Sequence, residues 1–323
     1  MEPNNDLACK YRPTKLNEVF GNAALLSQIK GQVKNNEFPH CSLFIGPSGC
    51  GKTTIARIIA KRMGASDTDL TEINGGNDNG IDTIRTINAE MGLSPLGKAR
   101  AYIFDECHRM TKPAQEAALK LLEEAKGNTY FFLCTTDPSA LIGTVLNRCH
   151  KYEVSALSNS MATELILTVA KKEGIEIEEE GEVLDALLDV SEGSPRKCLV
   201  NLQRIASVAS DDDKLDLLVP PKMRKQSIDL CRIMVRGNAS NWSQMAAIIK
   251  DVDDNPEQLR HMMMSYMEKM VLSGGKGTAR YWLVMDIFSR DTCYFLGRRM
   301  LTKMCYEALV EVNAVHGTDK EKN

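Results

Sequence analysis

The most constraining feature of this sequence is a glycine-rich run, Gly46-Pro47-Ser48-Gly49-Cys50-Gly51-Lys52-Thr53-Thr54, with the pattern G-x-x-x-x-G-K-[ST]. Glycines let the backbone turn tightly, so that successive N–H groups point at phosphate oxygens. Lys52 can bring a positive charge to the β- and γ-phosphates, and the Thr53 hydroxyl is suited to Mg²⁺. The run lies between an apolar stretch, 41–45, and a helical pattern over 53–61, whose N-terminus favours anions. This context predicts a nucleotide site and argues against the alternative, a glycine-rich turn without a ligand.

Composition excludes several classes of protein. The 323 residues suffice for two or three domains, and the 43% that are apolar allow a well-buried core. No apolar run reaches the length of a membrane span, and the polar, acidic residues 1–6 are not typical of a secretory signal. The ten cysteines form no C-x-x-C pair, which argues against a disulfide framework or a zinc site and predicts buried thiols in a reducing cytoplasm. The net charge of −3 carries no overall nucleic-acid signature.

Hydrophobic patterning predicts three domains. Over 1–156, short apolar runs alternate with helical patterns, which is typical of an α/β fold with a parallel sheet and flanking helices. The runs are 41–45, 70–74, 101–105 and 130–135, with 151–155 as an edge-like strand. Over 157–212 the pattern predicts a three-helix lid, with helices at 158–172, 182–191 and 195–208. The remainder, 213–323, is all-helical by period, and an assembly role is predicted for it because it carries no catalytic constellation.

Two segments of the helical part need interpretation. Asp211-Asp212-Asp213-Lys214 is predicted to be an acidic hinge between domains. Methionines crowd one predicted helix, at positions 262, 263, 264, 267 and 270. An adaptable core stripe is the favoured interpretation, and a helix–helix contact between subunits is the alternative.

Two acidic residues follow the apolar run 101–104. Asp105 is suited to hold Mg²⁺ together with Thr53, and Glu106 is suited to polarise an attacking water as a general base. An apolar run that ends in Asp-Glu is a weak signal alone, but about fifty residues after a phosphate-binding loop it becomes a strong one. The alternative is a solvated pair at the end of a strand.

Three further polar residues are candidates for contact with the nucleotide. Thr136 follows the run 130–135 at the edge where parallel strands end, with an ordinary turn as the alternative. Arg148 can stabilise transition-state charge on a neighbour's nucleotide, with a surface arginine as an equally weighted alternative. Arg196 begins a lid helix, where the helix dipole disfavours a cation, and this local mismatch favours a role at the phosphates.

These motifs, in this order, resemble those of the AAA+ clamp-loader ATPases, which include the small subunits of replication factor C and the gamma/tau subunit of bacterial DNA polymerase III. The resemblance covers roughly residues 10–205. The motifs that carry it, besides the phosphate-binding loop, are Lys10-Tyr11-Arg12-Pro13, Val19-Phe20-Gly21-Asn22, Gly80-Ile81-Asp82-Thr83-Ile84-Arg85, Asp105-Glu106-Cys107-His108-Arg109-Met110-Thr111, Ala114-Gln115-Glu116-Ala117-Ala118-Leu119, Thr135-Thr136-Asp137-Pro138, Asn147-Arg148-Cys149 and Gly193-Ser194-Pro195-Arg196.

The resemblance implies an AAA+ ATPase domain, a helical lid and a helical collar, with ATP and Mg²⁺ bound by the first of these. It implies that Lys52 and Glu106 are catalytic, that Arg148 acts in trans on the ATP of the next subunit, and that Thr53 and Asp105 hold Mg²⁺. It also implies that Gln115 couples the catalytic Glu to DNA sensing and that Arg85 faces the DNA backbone. The nucleotide-binding residues that it implies are Tyr11, Arg12, Pro13, Phe20, Gly21, Pro47, Ser48, Gly49, Cys50, Gly51, Lys52, Thr53, Thr54, Thr136 and Arg196.

The resemblance further implies the motor subunit of a pentameric clamp loader. In this family, ATP binding opens a sliding clamp and grips primer–template DNA, and hydrolysis releases the closed clamp. The implied partners are the clamp, the DNA and other loader subunits, including a distinct small subunit, without a membrane or zinc. No cysteine lies between Cys50 and Cys107, so the zinc module of gamma/tau is absent. The mixture of gamma-like motifs and replication-factor-like length indicates a phage-encoded subunit that works in the host cytoplasm.

Two other functions compete with this one. The first is another AAA+ DNA remodeller, such as a branch-migration or replication-restart helicase, but such proteins usually end in a winged helix and 221–323 lacks the strand pattern of a wing. The second is an assembly subunit that does not hydrolyse ATP. The presence of Lys52, Asp105, Glu106 and Arg148 argues against a degenerate site.

Overall fold

In a computed structural model, the described residues are 6–76, 80–91, 94–125, 127–237, 241–252, 255–274, 277–293 and 296–320. Their contacts divide the chain into two compact units. The sheet unit consists of Met1–Ile175 and Ser191–Gln203, and the helical unit consists of Glu176–Val190 and Arg204–Asn323.

A single sheet of five parallel strands forms the centre of the sheet unit, in the order β2-β3-β4-β1-β5. The strands are β1 Cys41–Ile45, β2 Ala65–Asn74, β3 Ala99–Asp105, β4 Thr129–Thr135 and β5 His150–Glu153. All five predicted strands are confirmed, and β5 lies at an edge as its sequence indicated. The second strand begins at Ala65 rather than at Leu70, because Ala65 also pairs with β3. A register shift separates these two positions, and the polar residues between them lie at the shift.

Helices cover both faces of this sheet. They are α2 Ala23–Lys34, α3 Lys52–Arg62, α4 Ile81–Glu90, α5 Lys112–Glu124 and α6 Gly143–Arg148. The sheet unit also contains α1 Leu7–Lys10 and α7 Asn159–Glu173. The neighbouring residues Phe131 and Phe132 of β4 are both fully buried but belong to different core clusters, one with Tyr102 and Leu121, the other with Ile59. Because successive side chains of a strand point to opposite faces, β4 is buried on both sides, as its continuous apolar sequence predicts.

The remaining helices are α8 Glu182–Ser191, α9 Pro195–Ile205, α10 Asp211–Leu218, α11 Pro221–Arg236, α12 Trp242–Lys250, α13 Pro256–Leu272, α14 Thr278–Ser289 and α15 Arg298–Lys320. The methionine-rich segment lies on α13. Met263 and Met267, one helical turn apart, are each 1% exposed, so these two belong to the core of the helical unit as the favoured interpretation has it. Among the described residues, no helix is long and apolar enough to cross a bilayer.

The acidic run 211–214 is not a hinge, and that prediction was wrong. It forms the first turn of α10, where three aspartates face the positive end of the helix dipole. The Lys214 ammonium is buried and donates to Asp211 Oδ1 at 2.8 Å and to the Glu176 carbonyl at 3.0 Å. Charged residues that satisfy one another and the dipole thus build a helix, although their composition is typical of a loop.

The two compact units do not follow the predicted domain boundaries at 156 and 212. Helix α7 and most of α9 belong to the sheet unit, whereas most of α8 belongs to the helical unit. The division into ATPase, lid and collar domains stays a prediction.

The helical unit contains a buried ion pair within α13, and its arginine also bonds to α14. The Arg260 guanidinium donates to Glu257 Oε1 at 2.7 Å and to the Phe288 carbonyl at 2.6 Å. Burial alone raises the pKa of Glu257, but hydrogen bonds from His261 and Arg260 outweigh it and lower that pKa to about 2. The carboxylate is therefore ionised, and its charge is compensated inside the protein.

Candidate functional site

The phosphate-binding loop connects β1 to α3, as its pattern predicts. The loop ends at Gly51, and α3 begins at Lys52, so the N–H groups of the first helical turn are free of intrahelical partners. The Lys52 side chain is 5% exposed, and its Nζ donates to the carbonyls of Gly46 at 2.8 Å and Pro47 at 2.9 Å. The ammonium group is therefore held inside the curve of the loop, beside the N-terminus of a helix. This is a ready-made site for an anion.

A cleft of about 390 Å³ opens beside the loop. It brings together most of the residues that the sequence predicted: Tyr11, Arg12, Pro13, Phe20, Ser48, Gly49, Cys50, Gly51, Lys52, Thr53, Thr54, Asp105, Glu106 and Arg196 all line it. Apolar side chains line it too, among them Val19, Leu165 and Leu199. A cleft with a polar, cationic part and an apolar part suits a nucleotide, which has a phosphate chain and a flat base.

Positive charges converge on this cleft. The Arg12 guanidinium donates through Nε to Thr54 Oγ1 at 3.0 Å. Loss of hydration and the positive charge of Arg57 lower the pKa of Arg12, Glu72 partly offsets them, and the positive charge of Arg196 lowers the pKa further. Neighbouring cations that disfavour one another are stabilised when an anion binds between them, so the electrostatics of the cleft favour a polyphosphate.

The two acidic residues lie where β3 ends. The Asp105 Oδ1 accepts a hydrogen bond from the Glu106 N–H at 3.1 Å, and Glu106 has a left-handed backbone with φ of 49°. A left-handed backbone costs a non-glycine residue of the order of 1–3 kcal/mol and is found most often at functional sites. The backbone of Gly75 packs against this turn so closely that a Cβ at Gly75 would overlap the Glu106 carbonyl. The close packing holds the strained turn and directs Glu106 into the cleft.

The beginning of α9 lies directly on the phosphate-binding loop, inside the sheet unit. A Cβ built on Gly49 would overlap Ser194 Oγ and would lie 3.2 Å from Arg196 Cβ. Gly49 also has a φ of 75°, which L side chains rarely adopt. The predicted lid residue Arg196 is thus in contact with the loop, although about 145 residues separate them in the chain.

We expect the Gly49→Ala substitution to lower the affinity for ATP about tenfold or more, because it adds both backbone strain and an overlap with Ser194. A fluorescent ATP analogue measures the affinity. Gly174→Ala is the matched control: Gly174 has a φ of 69° with open space around the position of a Cβ, so it adds strain alone, away from the cleft. Adding Ser194→Gly to Gly49→Ala removes the overlap and should recover part of the affinity. An unchanged affinity for Gly49→Ala would mean that α9 does not rest on the loop.

Several predicted residues lie outside the cleft. Pro47 contributes its carbonyl to Lys52 but does not line the cleft, and Gly21 lines an adjoining cavity of about 830 Å³ that shares Tyr11 and Phe20 with it. Thr136 is exposed beyond the end of β4 and is not among the described residues that line the cleft. The roles of these residues toward a nucleotide stay predictions.

The two predicted arginines outside the cleft are on the surface of the sheet unit. Arg148 is the last residue of α6, and its 55% exposed guanidinium pairs with Glu123 Oε1 of α5 at 2.7 Å. Arg85 lies on α4, 69% exposed, and pairs with Asp82 of the preceding turn at 2.8 Å. Neither guanidinium faces the cleft of its own chain, which is a requirement for a residue that acts on a neighbour or on DNA.

Gln115 is 2% exposed and ties three segments together. Its Nε2 donates to the carbonyls of Met110 at 3.1 Å and Ala140 at 3.3 Å, and its Oε1 accepts from the Ile142 N–H at 2.9 Å. Met110 follows the turn that contains Glu106, and Ile142 immediately precedes the helix that ends in Arg148. The side chain thereby links the two predicted catalytic elements, which is consistent with its predicted coupling role.

Some residues of the site were missed by sequence reasoning. Arg57 and Glu72 also line the cleft and form a two-point ion pair with both distances at 2.6 Å. Glu173 at the end of α7 pairs with Lys10 at 2.7 Å and accepts a hydrogen bond from the Tyr11 hydroxyl, which fixes the N-terminal segment. Each pair joins residues that are far apart in the sequence, so no local sequence pattern indicates it. No cluster of three or more metal-ligating side chains was found in the part of the chain that the structure describes.

Parts of this chain are similar in sequence to known proteins. Residues 63–158 match a family model described as DNA polymerase III, delta subunit. A replication factor C small subunit from Haloarcula marismortui is 34% identical over 206 residues, which cover 62% of each chain. The gamma/tau subunit of DNA polymerase III from Mycoplasma pneumoniae is 31% identical over 219 residues, 61% of this chain and 32% of that one. The chain thus spans less than two thirds of the length of these relatives.

Among solved structures, the RuvB Holliday junction branch migration motor of Thermotoga maritima has a TM-score of 0.55, with 19% identity over 79% of this chain and 91% of that one. The chain has an AAA+ fold. At this identity the likeness establishes the fold alone, and the parallel five-stranded sheet with its flanking helices agrees with it.

Proposed function

We propose that this chain is an ATP-hydrolysing motor subunit of a DNA sliding-clamp loader. The observation that carries the proposal is the cleft in which the phosphate-binding loop, Asp105, Glu106 and Arg196 meet. Hydrolysis follows from the chemistry of these residues, and the loader assignment is supported by the similarity to replication factor C small subunits and to gamma/tau.

The proposed reaction transfers the γ-phosphoryl group of ATP to water. Lys52 exchanges its two contacts with loop carbonyls for phosphate oxygens, alongside the first N–H groups of α3. The Thr53 hydroxyl and the Asp105 carboxylate both line the cleft and offer the oxygen ligands that fit Mg²⁺, which would neutralise phosphate charge. Glu106 orients the attacking water and accepts its proton.

The proposal gives Arg148 a role on a neighbouring chain. Its guanidinium is on the surface, ends a helix and lies outside its own cleft. A guanidinium inserted from the next subunit stabilises charge that develops on the transferred phosphoryl group. Rapid hydrolysis then requires assembly with a neighbouring subunit. The motor can therefore respond to the presence of its partners.

ATP binding is proposed to fix the position of α9 through Arg196. Because the start of α9 lies against Gly49, a phosphate chain bound at the loop pulls on Arg196 and fixes the position of that helix. In the proposed cycle, this ordered state opens the clamp and grips primer–template DNA, with Arg85 facing the backbone. Gln115 transmits DNA contact to Glu106 and Arg148, and hydrolysis releases the closed clamp.

Assembly with other loader subunits, in a pentamer that includes a distinct small subunit, is proposed to use the helical unit. Tyr306 and Val310 lie on one face of α15 and are 52% and 49% exposed, and the Tyr306 ring contacts the Trp242 ring edge-on, with 5.1 Å between centroids. Exposed apolar side chains of this size are typical of surfaces that pair with protein. The phage origin and the location in the cytoplasm stay predictions from the resemblance.

The second candidate function, a branch-migration or replication-restart motor, rests on the likeness to RuvB. The described residues of the helical unit form helices and no strand, whereas a winged-helix DNA reader needs a strand pair. This observation favours the loader.

The experiment that tests the proposal measures ATP hydrolysis by the full chain with two DNA probes, a primed template and a four-way junction, each with and without the sliding clamp of the same genome. We expect the primed template and the clamp together to raise the rate, and Lys52→Ala to abolish it. DNA binding should weaken steeply with salt, because phosphate contacts release counterions. Stimulation by the junction, without an effect of the clamp, would favour the second candidate instead. No hydrolysis under any condition would refute both.

A further inference from the structure

His108 occupies a position between the predicted general base and the end of the neighbouring strand. It lies in a short 3-10 turn, Cys107–Arg109, that follows Glu106. Its Nε2 is 3.4 Å from Glu106 Oε2, and its Nδ1 is 3.1 Å from Thr135 Oγ1. Both ring nitrogens thus have protein partners, and the side chain is only 17% exposed to water. No motif of the sequence pointed to this pairing, and the predicted chemistry does not use it.

The two partners of the ring favour one tautomer of a neutral imidazole. A carboxylate only accepts hydrogen bonds, so the proton of a neutral imidazole lies on Nε2, toward Glu106. The Nδ1 then accepts a hydrogen bond from the Thr135 hydroxyl. The oxygen of the same hydroxyl accepts from the Asp137 N–H at 3.0 Å, so Thr135 can donate to His108 while its lone pair is occupied. In this tautomer the Nε2–H faces the Glu106 carboxylate, and Nδ1 faces the Thr135 hydroxyl.

Thr135 connects this series of contacts to the phosphate-binding loop. It is the last residue of β4, fully buried, and pairs in register with Ile45 at the end of β1. Its carbonyl accepts from the N–H of Gly46, the first residue of the loop, at 3.2 Å. One continuous path therefore runs from the loop through Thr135 and His108 to the Glu106 carboxylate.

We propose that His108 is a positioning residue that orients the Glu106 carboxylate and ties its orientation to the phosphate-binding loop through Thr135. The inference rests on the proposed ATP hydrolysis and names a further residue for it. A glutamate has three rotatable side-chain bonds, whereas a general base must stay within hydrogen-bond reach of its proton. The Nε2–H restricts the carboxylate, and the Thr135 hydroxyl restricts the ring. A shift of the loop when phosphate binds is thereby transmitted to the base.

Two substitutions separate the contact with Glu106 from the hydrogen bond with Thr135. The side-chain amide of glutamine reaches the position of Nε2 and that of asparagine the position of Nδ1, so His108→Gln keeps the donor to Glu106 and His108→Asn keeps only the partner for Thr135. We expect His108→Ala and His108→Asn to lower kcat about 10- to 100-fold, with KM and the affinity for an ATP analogue unchanged. We expect His108→Gln to recover most of the rate. A buried histidine with a merely structural role would show no such order, since both amides fill the space and remain polar.

A double-mutant cycle tests the second half of the path. Thr135→Val removes the hydroxyl at nearly constant shape, and Thr135→Ser is the control that keeps it. We expect Thr135→Val to lower kcat in the parent chain by about the same small factor that separates His108→Gln from it, and to have little further effect with His108→Gln, which has already lost that contact. Additive effects would remove Thr135 from the path.

The outcomes separate the inference from the function on which it rests. If the parent chain does not hydrolyse ATP with primed DNA and clamp, the proposed function fails. If the parent chain hydrolyses ATP and the Ala, Asn and Gln variants all match it, or if Asn and Gln are equally impaired, His108 does not orient the base. Thermal unfolding of each variant shows whether it is folded, and the comparison of Asn with Gln stands even if the Ala variant is unstable.

Discussion

The Arg148→Ala chain will bind ATP as tightly as the parent chain and will lose the hydrolysis that DNA and clamp stimulate, by about 10³-fold or more. The guanidinium lies outside the cleft of its own chain and pairs with Glu123 on the surface, so its removal leaves the nucleotide contacts intact. A guanidinium supplied by a neighbour stabilises charge only in the transition state, so the loss appears in kcat rather than in binding. Titration with a fluorescent ATP analogue and steady-state hydrolysis measure the two quantities separately.

Lys120→Ala is the matched control for this prediction. Lys120 is an exposed cation on α5, 66% accessible, in an ion pair with Glu124, close in sequence to the partner of Arg148. Its removal changes the charge of the same surface without touching the proposed finger, and the stimulated rate should stay near that of the parent chain. If Arg148→Ala instead weakens ATP binding and keeps the stimulation, the assignment to the neighbouring subunit is wrong.

The Glu106→Gln chain is expected to bind ATP and to hydrolyse it about 10²–10⁴-fold more slowly, because an amide cannot accept the proton of the attacking water. The substitution keeps the size of the side chain and a polar oxygen that can face His108 Nε2, so the turn itself should be undisturbed. Single-turnover hydrolysis with excess protein measures the chemical step without product release. A rate equal to that of the parent chain would move the general base to another residue.

Mixing these two variants tests the shared site directly. Each variant alone is strongly impaired, one for lack of the guanidinium and the other for lack of the base. In a mixed assembly, some clefts of the Arg148→Ala chain have an intact Glu106 and receive Arg148 from a Glu106→Gln neighbour. We therefore expect partial recovery of hydrolysis on mixing, at constant total protein. Two variants that stay strongly impaired together would show that both residues must belong to one chain.

Adjacent threonines illustrate the limit of sequence reasoning about this site. Sequence reasoning correctly ended a strand at Thr135 and predicted that Thr136 contacts the nucleotide, which stays a prediction. It did not anticipate that Thr135 is buried at the end of β4 beside His108, while Thr136 is exposed. The two positions differ by one residue, and one residue reverses the face of a strand. Which threonine faces His108 depends on the register between β4 and β1, with Thr135 opposite Ile45, and the register belongs to the sheet rather than to either segment.

The acidic run 211–214 shows a related limit. Its composition is typical of a loop, but aspartates at the start of a helix are stabilised by the helix dipole, and the buried Lys214 is stabilised by a carbonyl of Glu176, thirty-eight residues earlier in the chain. Local composition cannot report a partner at that separation.

The sequence by itself determined the phosphate-binding loop, the five parallel strands and the two acidic residues that end β3, because each depends on a few neighbouring residues whose spacing dictates the local backbone. Only the tertiary structure decided that Ser194 and Arg196 rest on Gly49, that Gln115 bridges Met110 and Ile142, and that His108 joins Glu106 to Thr135. Those contacts arise where separate strands and helices are packed side by side, and their distances are set by the packing of the whole sheet unit rather than by any one stretch of chain.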